Sequence, residues 1–386
     1  MTAPLDGVLV ADFSRVLAGP SATMLLADLG AEVIKVERPG VGDDTRAWGP
    51  PWTPSGGSTY FESVNRGKRS VVLDLADAGD RALAQELARR ADVVVENLRS
   101  GAMGRLGLGY EQVSAANPGV VYCSITGFGS AGGADLPGYD FVVQAVGGLM
   151  SITGPDAEHP TKVGVALVDV LAGKDAALGI LAALTRRARD PEGRGEHVEV
   201  DLLSSLLGSL VNQASSYLAT GVAPAPMGNA HPSIAPYETL RCRDGVLAVA
   251  CGNDGQFARL VAALGHPAWA ADPRFATNPA RVEHRPAMVA LLEEALADHG
   301  SQDAVALLQD AGVPAGAVGS IADAFALAER LGLDPVVEVG GDRPPQVRHP
   351  VKYTRSTVAA PTAPPRLGEH DEQIRRWLAA GEETTP

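Results

Sequence analysis

Val8-Leu-Val-Ala-Asp-Phe13 and Glu32-Val-Ile-Lys-Val-Glu37 flank a segment that opens at Gly19-Pro20-Ser21. Both apolar runs are typical of strands buried in a parallel sheet. Pro and Ser at the first positions of the segment predict a helix between the two strands, and Gly30 is a typical residue to end it. The stretch therefore predicts a β-α-β unit at the start of the chain.

A dinucleotide site is the first function to weigh for such a unit, because Glu37 ends the second strand where nicotinamide-binding proteins keep a ribose-binding acid. The turn Ser14-Arg-Val-Leu-Ala-Gly-Pro20 has only one glycine of the required G-x-G-x-x-G pattern. Arg38 follows the acid and suits a phosphate monoester. The missing glycines disfavour an NAD oxidoreductase, while the predicted β-α-β fold is unaffected. Residues 127–138 are glycine-rich but lack the consecutive lysine-serine pair of a P-loop, which disfavours a nucleoside triphosphate site.

Alternation of strands and helices continues along the chain and predicts an α/β fold with a mainly parallel sheet covered on both faces. The expected strands are residues 71–75, 92–96, 120–126 and 198–203, and the expected helices are 79–90, part of 106–117, and one that reaches about 218. A segment rich in Pro, Gly and Ala, 221–236, predicts a boundary. A smaller α+β region follows, with a strand at 246–251, helices at 256–264, 287–299 and 302–311, and a last helix at 369–378.

Composition limits the class of protein. The 386 residues carry a net charge of −14, which disfavours nucleic acid as the main partner. Three widely spaced cysteines suggest neither a disulfide framework nor a metal site. The first residues do not resemble a signal peptide, and no apolar run has the roughly 20 residues needed to span a membrane. We expect a soluble, cytoplasmic protein.

Two other catalytic classes lack their motifs. The eight histidines form no H-E-x-x-H pattern and no C-x-x-C pair accompanies them, so we expect no metal site. No G-x-S-x-G nucleophile elbow is present, which disfavours a serine hydrolase of that class.

Asp169 is the candidate catalytic residue. It follows an apolar run, 163–168, that we expect to be a strand, and precedes a small-residue helix at 172–187. On local sequence it is either a helix cap or a nucleophilic carboxylate at a cleft. The predicted strand ends carry Arg15, Arg38, Arg99 and Arg105, which favour a phosphate-bearing ligand because open parallel sheets bind ligands there.

Long motifs then resemble one family. They are Asp12-Phe-Ser-Arg-Val-Leu-Ala-Gly-Pro20, residues 26–39, Asn65-Arg-Gly-Lys-Arg-Ser70, residues 91–97, Ser124-Ile-Thr-Gly-Phe128, Gly138-Tyr-Asp140, Asp169 and Leu367-Gly-Glu-His370. In this order they resemble the class III CoA-transferases, the family of formyl-CoA and carnitine CoA-transferases and of α-methylacyl-CoA racemases.

The resemblance implies a Rossmann-like large domain built from both ends of the chain and an interlocked homodimer. The domain limits expected along the chain are residues 1–205 for the first part of the large domain, 206–229 for a linker and 230–325 for a small α+β domain. Residues 326–386 are expected to form a second linker and the return to the large domain. Coenzyme A or acyl-CoA is expected as a substrate, with a carboxylic acid as the second substrate and no permanently bound cofactor.

The resemblance also assigns residues. Asp169 matches the catalytic aspartate. The positions that match CoA contacts are Leu17, Ala18, Arg38, Leu73, Asn97, Leu98, Arg99, Arg105, Tyr139 and Asp140. Arg15, Gly228, Asn229 and His231 are expected near the substrate or its covering loop. The tetraglycine loop of formyl-CoA transferases is absent from residues 228–237, which disfavours formate and oxalate and favours a larger acid.

Two alternatives stay open. A racemase would need a base at the α-carbon, and racemases of the family carry His before Asp where this chain has Tyr139-Asp140. Tyrosine, with a pKa near 10, is a poor base at neutral pH. A CoA-binding protein without turnover is the other alternative, and the presence of Asp169 disfavours it.

Overall fold

The computed structural model describes residues 2–380. The strands are β1 (Leu9–Asp12), β2 (Glu32–Glu37), β3 (Lys68–Val72), β4 (Val93–Glu96), β5 (Val121–Thr126), β6 (Glu196–Asp201), β7 (Tyr237–Cys242), β8 (Gly245–Ala250), β9 (Ala315–Ala317), β10 (Val336–Val337) and β11 (Gln346–Val347). The helices are α1 (Ala18–Asp28), α2 (Thr59–Glu62), α3 (Ala78–Arg90), α4 (Ala102–Arg105), α5 (Tyr110–Ala116), α6 (Asp140–Val146), α7 (Leu167–Arg187), α8 (Leu202–Ser209), α9 (Val211–Thr220), α10 (Asp254–Ala263), α11 (Asn278–Glu283), α12 (Arg285–Leu296), α13 (Ser301–Asp310), α14 (Ile321–Arg330) and α15 (Asp371–Ala380). Short 3-10 helices occupy Asp44–Ala47 and Pro267–Ala271.

The first six strands form one parallel sheet in the order β3-β2-β1-β4-β5-β6. This is the doubly wound Rossmann-like order, and it confirms the predicted α/β class. The sheet has an apolar core on each face. One core is built with α1, α7 and α8, and the other with α3, α5 and α15.

The predicted strand at 163–168 is wrong. Residues 163–166 are irregular, and α7 begins at Leu167. Gly164 and Val165 are exposed, so this run does not supply the buried alternating surface that a sheet would require. The third strand is also displaced from its predicted position, since β3 begins at Lys68 and ends at Val72.

The chain divides into two compact units by its internal contacts. Within the described residues, the first unit comprises the chain up to Leu149, Val163–Val222 and the chain from Asp334 onward. The second comprises Met150–Lys162 and Ala223–Leu333. The limits expected at 205/206 and 325/326 fall inside α8 and α14, and the expected linker is helical as far as Thr220.

The end of the described chain belongs to the first unit. Ile374, Trp377 and Leu378 of α15 are buried in the core on the α3 face of the sheet. The Asp371 carboxylate accepts a hydrogen bond from the backbone N–H of Val72 at 2.7 Å, and Arg375 pairs with Asp80 at 2.7 Å. Residues from both ends of the sequence therefore build this unit.

The second unit contains an antiparallel sheet in the order β7-β8-β9, covered by α10, α12 and α13. Arg281 is fully buried there and donates to the carbonyls of Ala235 and Phe275. Within residues 2–380 no helix combines the length and the apolar character needed to cross a membrane.

Candidate active site

The parallel sheet reverses its strand order between β1 and β4, and the loops after these two strands are joined by paired hydrogen bonds. The backbone N–H of Arg15 donates to Asn97 Oδ1 at 2.8 Å, and Asn97 Nδ2 donates to the Arg15 carbonyl at 2.7 Å. Ligands of open α/β sheets bind outside the carboxyl ends of the strands at such a reversal. The geometry of the sheet therefore places a binding crevice at these loops.

A cavity of about 560 Å³ lies at this point. Its walls come from the loop after β1, the loop after β4, residues 125–139 after β5, and the first turn of α7. The lining includes Arg15, Val16, Leu17, Ala18, Asp44, Asn97, Leu98, Arg99, Arg105, Gly127, Gly138, Tyr139 and Asp169. Three arginines and Asp169 therefore line one cavity.

The turn after β1 is held by buried charge. Val16 has φ of 71°, a conformation that is uncommon for a β-branched residue. Its N–H points to the carboxylate of Asp43, at 3.3 Å, and that carboxylate pairs with Lys35 Nζ at 2.9 Å. Lys35 Nζ also donates to the Ser14 carbonyl at 2.9 Å. The fully buried Lys35–Asp43 pair thus fixes the turn that forms one wall of the cavity.

Asp169 is not the cap of α7. The helix begins after Ala166, which provides no side-chain cap, and Asp169 is the third helical residue. The cap comes from α6 instead, because Asp140 Oδ1 accepts from the N–H of Val168 at 2.7 Å and of Asp169 at 3.3 Å. The local interpretation of Asp169 as a helix cap is therefore wrong, and its carboxylate lines the cavity.

Two effects raise the pKa of Asp169 to about 7. Burial of the carboxylate is the larger effect, and the negative charge of Asp140 is the second. An ordinary aspartate is fully ionised at neutral pH, whereas Asp169 is only partly ionised there. Such a shifted carboxylate in a cleft is a candidate reactive group.

Tyr60 and Trp48 are neighbours of the site that the sequence did not single out. Tyr60 packs against the buried cluster of Leu17, Met24 and Val64, and its ring meets that of Trp48 edge-on at 5.1 Å. Burial, and then the charge of Asp169, raise the pKa of Tyr60 to about 12, so its hydroxyl stays protonated. The only signal in the sequence was the long irregular loop that carries Trp48.

A second cavity, of about 240 Å³, shares Arg15 and Leu98 with the first. Arg38 and Leu73 line it, and Leu73 is fully buried there. The Arg38 guanidinium donates to the Gly42 carbonyl and pairs with Asp44. A cation at the rim and apolar residues within suit a ligand with an anionic group on an apolar body.

One wall of the larger cavity is a loop whose ends touch. A Cβ added to Gly127 would lie 2.5 Å from Cα of Gly138, and one added to Gly138 would lie 2.4 Å from Cα of Gly127. Only glycine allows this approach of two backbones. The contact closes residues 127–138 into a ring of chain beside the cavity.

The structure brings most of the predicted site residues together. Those lining one or both cavities are Arg15, Leu17, Ala18, Arg38, Leu73, Asn97, Leu98, Arg99, Arg105, Tyr139 and Asp169. Asp140 lines neither cavity and is buried behind α7. Gly228, Asn229 and His231 belong to the second unit, where Gly228 and Asn229 are exposed and the His231 ring lies 5.2 Å from that of Tyr237. Among residues 2–380, no three His, Cys, Asp or Glu side chains are grouped as metal ligands.

Comparison with known proteins agrees on one family. The family model described as CoA-transferase family III matches residues 5–371. The chain is 42% identical to a succinate–glutarate CoA-transferase of Agrobacterium fabrum, over 99% of this chain and 97% of that protein. It is 40% identical to an acetyl-CoA:oxalate CoA-transferase of Acetobacter aceti, over 98% and 97%. A crystal structure of a CAIB/BAIF family protein from Brucella suis superimposes with a TM-score of 0.87 at 44% identity, covering 98% of this chain and all of that one.

Proposed function

The chain belongs to CoA-transferase family III and is a CoA-transferase, and from that premise we propose that Asp169 carries the acyl group and then CoA. The observation that supports this role best is the position of Asp169. Its carboxylate lines the cavity at the strand reversal, with arginines on the same walls. This placement disfavours the alternative of a CoA-binding protein without turnover.

The chemistry needs only nucleophilic exchange. The Asp169 carboxylate attacks the thioester carbonyl and the C–S bond breaks. CoA thiolate departs, and the acyl group stays on Asp169 as a mixed anhydride. The thiolate then attacks the Asp169 carbonyl and releases the donor acid as a carboxylate. An acceptor carboxylate attacks the aspartyl-CoA thioester, and the released thiolate attacks the acceptor carbonyl of the new anhydride. This last step yields the new acyl-CoA and restores Asp169.

The two cavities provide room for CoA. We place its adenosine end at the smaller cavity, where Arg38 can pair with a phosphate and Leu73 offers an apolar wall. The thioester end then extends past Arg15 and Leu98, which line both cavities, towards Asp169. Leu17, Ala18, Asn97, Arg99, Arg105 and Tyr139 remain the proposed contacts along this path. Asp140 fits a different role, argued below.

A dicarboxylic acid is the proposed acceptor class. The relatives named as succinate–glutarate and acetyl-CoA:oxalate CoA-transferases both act, by their names, on dicarboxylic acids. Arg15 shares the cavity of Asp169 and is the proposed partner of the distal carboxylate, whereas Arg99 and Arg105 are the proposed CoA contacts. The missing tetraglycine segment at 228–237 still favours an acid larger than oxalate, such as glutarate or succinate. Oxalate belongs in the test because of the relative that bears its name.

The assembly proposed is the interlocked homodimer of the family resemblance. α9 contains no buried residue, and Leu218 on it is 81% exposed. In α14, Ile321 is likewise 81% exposed. Such apolar residues on otherwise solvated helices support burial against a second copy. We also propose the cytoplasm as location, because Cys123 and Cys251 are buried as free thiols.

The test is CoA exchange by the full chain. Wild-type protein is incubated with succinyl-CoA and a panel of acids that includes glutarate and oxalate, and new thioesters are identified by mass spectrometry. We expect Asp169→Ala to abolish exchange while CoA binding, measured by calorimetry, is kept. Undiminished exchange by Asp169→Ala would remove the nucleophile from the proposal.

A trapping experiment separates the covalent route from the racemase alternative. Hydroxylamine added during turnover should label Asp169 and no other carboxylate. Incorporation of solvent deuterium at the α-carbon of a 2-methylacyl-CoA, without any acceptor acid, would instead support racemisation. Tyr139 stands at the position of the racemase base, and its side chain is 60% exposed.

A further inference from the structure

The first turn of α7 has donors that Asp169 itself does not use. The N–H groups of the first helical residues have no partner within a helix, and side-chain carboxylates commonly accept them. Here the N–H groups of Val168 and Asp169 both donate to Asp140 Oδ1. The two residues lie 28 and 29 positions from Asp140 in sequence, so the cap is supplied by a separate helix.

Asp140 is itself held in place. Gln144, one turn along α6 and fully buried, donates from Nε2 to Asp140 Oδ2 at 2.7 Å. Gln144 Oε1 accepts from the N–H of Val163 at 2.9 Å. Both oxygens of the Asp140 carboxylate are therefore engaged. The segment that leads into α7 is hydrogen-bonded to the side chain of Gln144.

The Asp169 side chain differs from its backbone N–H. Within residues 2–380 no protein group donates a hydrogen bond to the Asp169 carboxylate, although the residue is partly buried. A carboxylate that accepts N–H bonds is stabilised in its charged form and becomes a weaker nucleophile. The Asp169 carboxylate keeps its nucleophilicity because the nearest N–H groups of α7 already donate to Asp140.

We propose that Asp140 and Gln144 are positioning residues for the nucleophile, which saturate the donors of α7 so that the Asp169 carboxylate stays unpartnered and reactive. The inference rests on the proposed role of Asp169. It assigns Asp140 a task behind the site instead of a contact with CoA, and it gives Gln144 a task that no comparison assigns.

Charged groups lie around Asp169, and Arg15, Arg99 and Arg105 line the same cavity. The negative charge of Asp140 on α6 raises the pKa of Asp169. The negative charge of Asp169 in turn raises the pKa of Tyr60 on α2. Tyr60 stays neutral over the range of the experiment. A change in the titration of Asp169 after substitution of Asp140 can therefore be read as the loss of one negative charge.

The test compares Asp140→Asn, Asp140→Ala and Gln144→Leu in the full chain. Asp140→Asn keeps an oxygen acceptor for α7 and removes the charge, so the acid limb of kcat/KM should move about one pH unit lower. Asp140→Ala removes the acceptor and frees the α7 donors for Asp169, so kcat should fall about tenfold or more. In each case KM for the acyl-CoA should change by less than about threefold. Gln144→Leu removes the side chain that holds Asp140 but leaves the Asp140 acceptor, so it should lower kcat less than Asp140→Ala does.

Asn253→Ala is the matched control, because Asn253 caps α10 in the second unit through a hydrogen bond from the N–H of Gln256 at 2.9 Å. It removes a helix cap but should leave the pH profile unchanged. A kcat of folded Asp140→Ala that stays within about threefold of the wild-type value would overturn the inference. So would a rise in KM with kcat unchanged in either Asp140 variant, since that result describes a CoA contact.

Failure of this inference differs from failure of the proposed function. If wild-type protein exchanges no CoA with any acid, the proposed function and this inference both fall. If wild-type protein is active and Asp140→Ala keeps its kcat, only the inference falls. Should Asp140→Ala not fold, the kcat of Gln144→Leu decides.

Discussion

The Arg38 guanidinium lies 2.6 Å from the Asp44 carboxylate, and both side chains are exposed at the rim of the proposed CoA path. Exposed ion pairs of this kind contribute about 0–1 kcal/mol. A phosphate of CoA can therefore replace Asp44 as the partner of Arg38 at little cost. The pair keeps the guanidinium oriented towards the cavity before substrate arrives.

Arg38→Gln should raise KM for acyl-CoA about tenfold, because a charge-assisted hydrogen bond to phosphate contributes about 1.5–3 kcal/mol. The effect should be much smaller with 3′-dephospho-CoA donors, and kcat should change little. Steady-state kinetics with both donors measures it. Arg366→Gln, which removes an exposed arginine paired with Asp342 outside the cavities, is the control. Equal losses for the two donors would contradict a contact with that phosphate.

Activity should rise with pH through about 7, because Asp169, the proposed nucleophile, can attack only when ionised and the pKa of this carboxyl is raised to about 7. Below that value kcat/KM should fall tenfold for each pH unit. The measurement is a pH profile of kcat/KM with a donor that is stable over the range. An acid limb near pH 4, the usual range of a carboxyl, would contradict the environment described here.

Asp169 should lower stability at high pH. Its pKa is about 7 in the folded chain, against the ordinary aspartate value of 3.8 that applies once the chain unfolds. Between these two values the folded protein holds a proton that the unfolded chain has lost, so stability falls as pH rises from about 4 to 7 and stays lower above. Asp169→Asn should raise the free energy of unfolding at pH 8 by up to about 4 kcal/mol, at about 1.4 kcal/mol per pKa unit. It should have little effect below pH 4. Urea unfolding at both pH values tests this, and an equal gain at both would contradict it.

Lys35→Met should destabilise the protein by about 3–5 kcal/mol, because it leaves the buried carboxylate of Asp43 without its cation. The double variant with Asp43→Asn should recover part of the loss, since it removes the stranded charge. Urea unfolding of the two variants measures the difference. A double variant no more stable than Lys35→Met would show that the charge pair is not what holds the turn.

The parallel sheet could be predicted because its strands are short apolar runs between clear helix signals. β2 and β5 fall within one residue of their predicted limits, at 32–37 and 120–126. The same rule failed at 163–168, where an apolar run lies outside the sheet. Apolar composition alone does not distinguish a buried strand from a partly exposed irregular segment that leads into a helix.

The chemical state of the site could not be predicted from the sequence. Local spacing allowed Asp169 to be a cap, and only the fold shows that Asp140, 29 positions away, accepts the N–H of Asp169. Tyr60 likewise reaches Leu17 across a loop without a regular pattern. Burial and charge that depend on such distant contacts set the pKa of Asp169, so the sequence could name the carboxylate but not its ionisation.

The touching backbones of Gly127 and Gly138 have a consequence for how this enzyme could change its preference for acids. Because the ring of chain is closed at its base by two touching backbones, and Phe128 packs against the core, the nine residues 129–137 can be exchanged as one segment. Their composition or number can vary while β5, α6 and Asp169 keep their places. This wall of the cavity can thus vary while the residues around it stay in place, so substrate range can diverge there without moving Asp169, the proposed nucleophile.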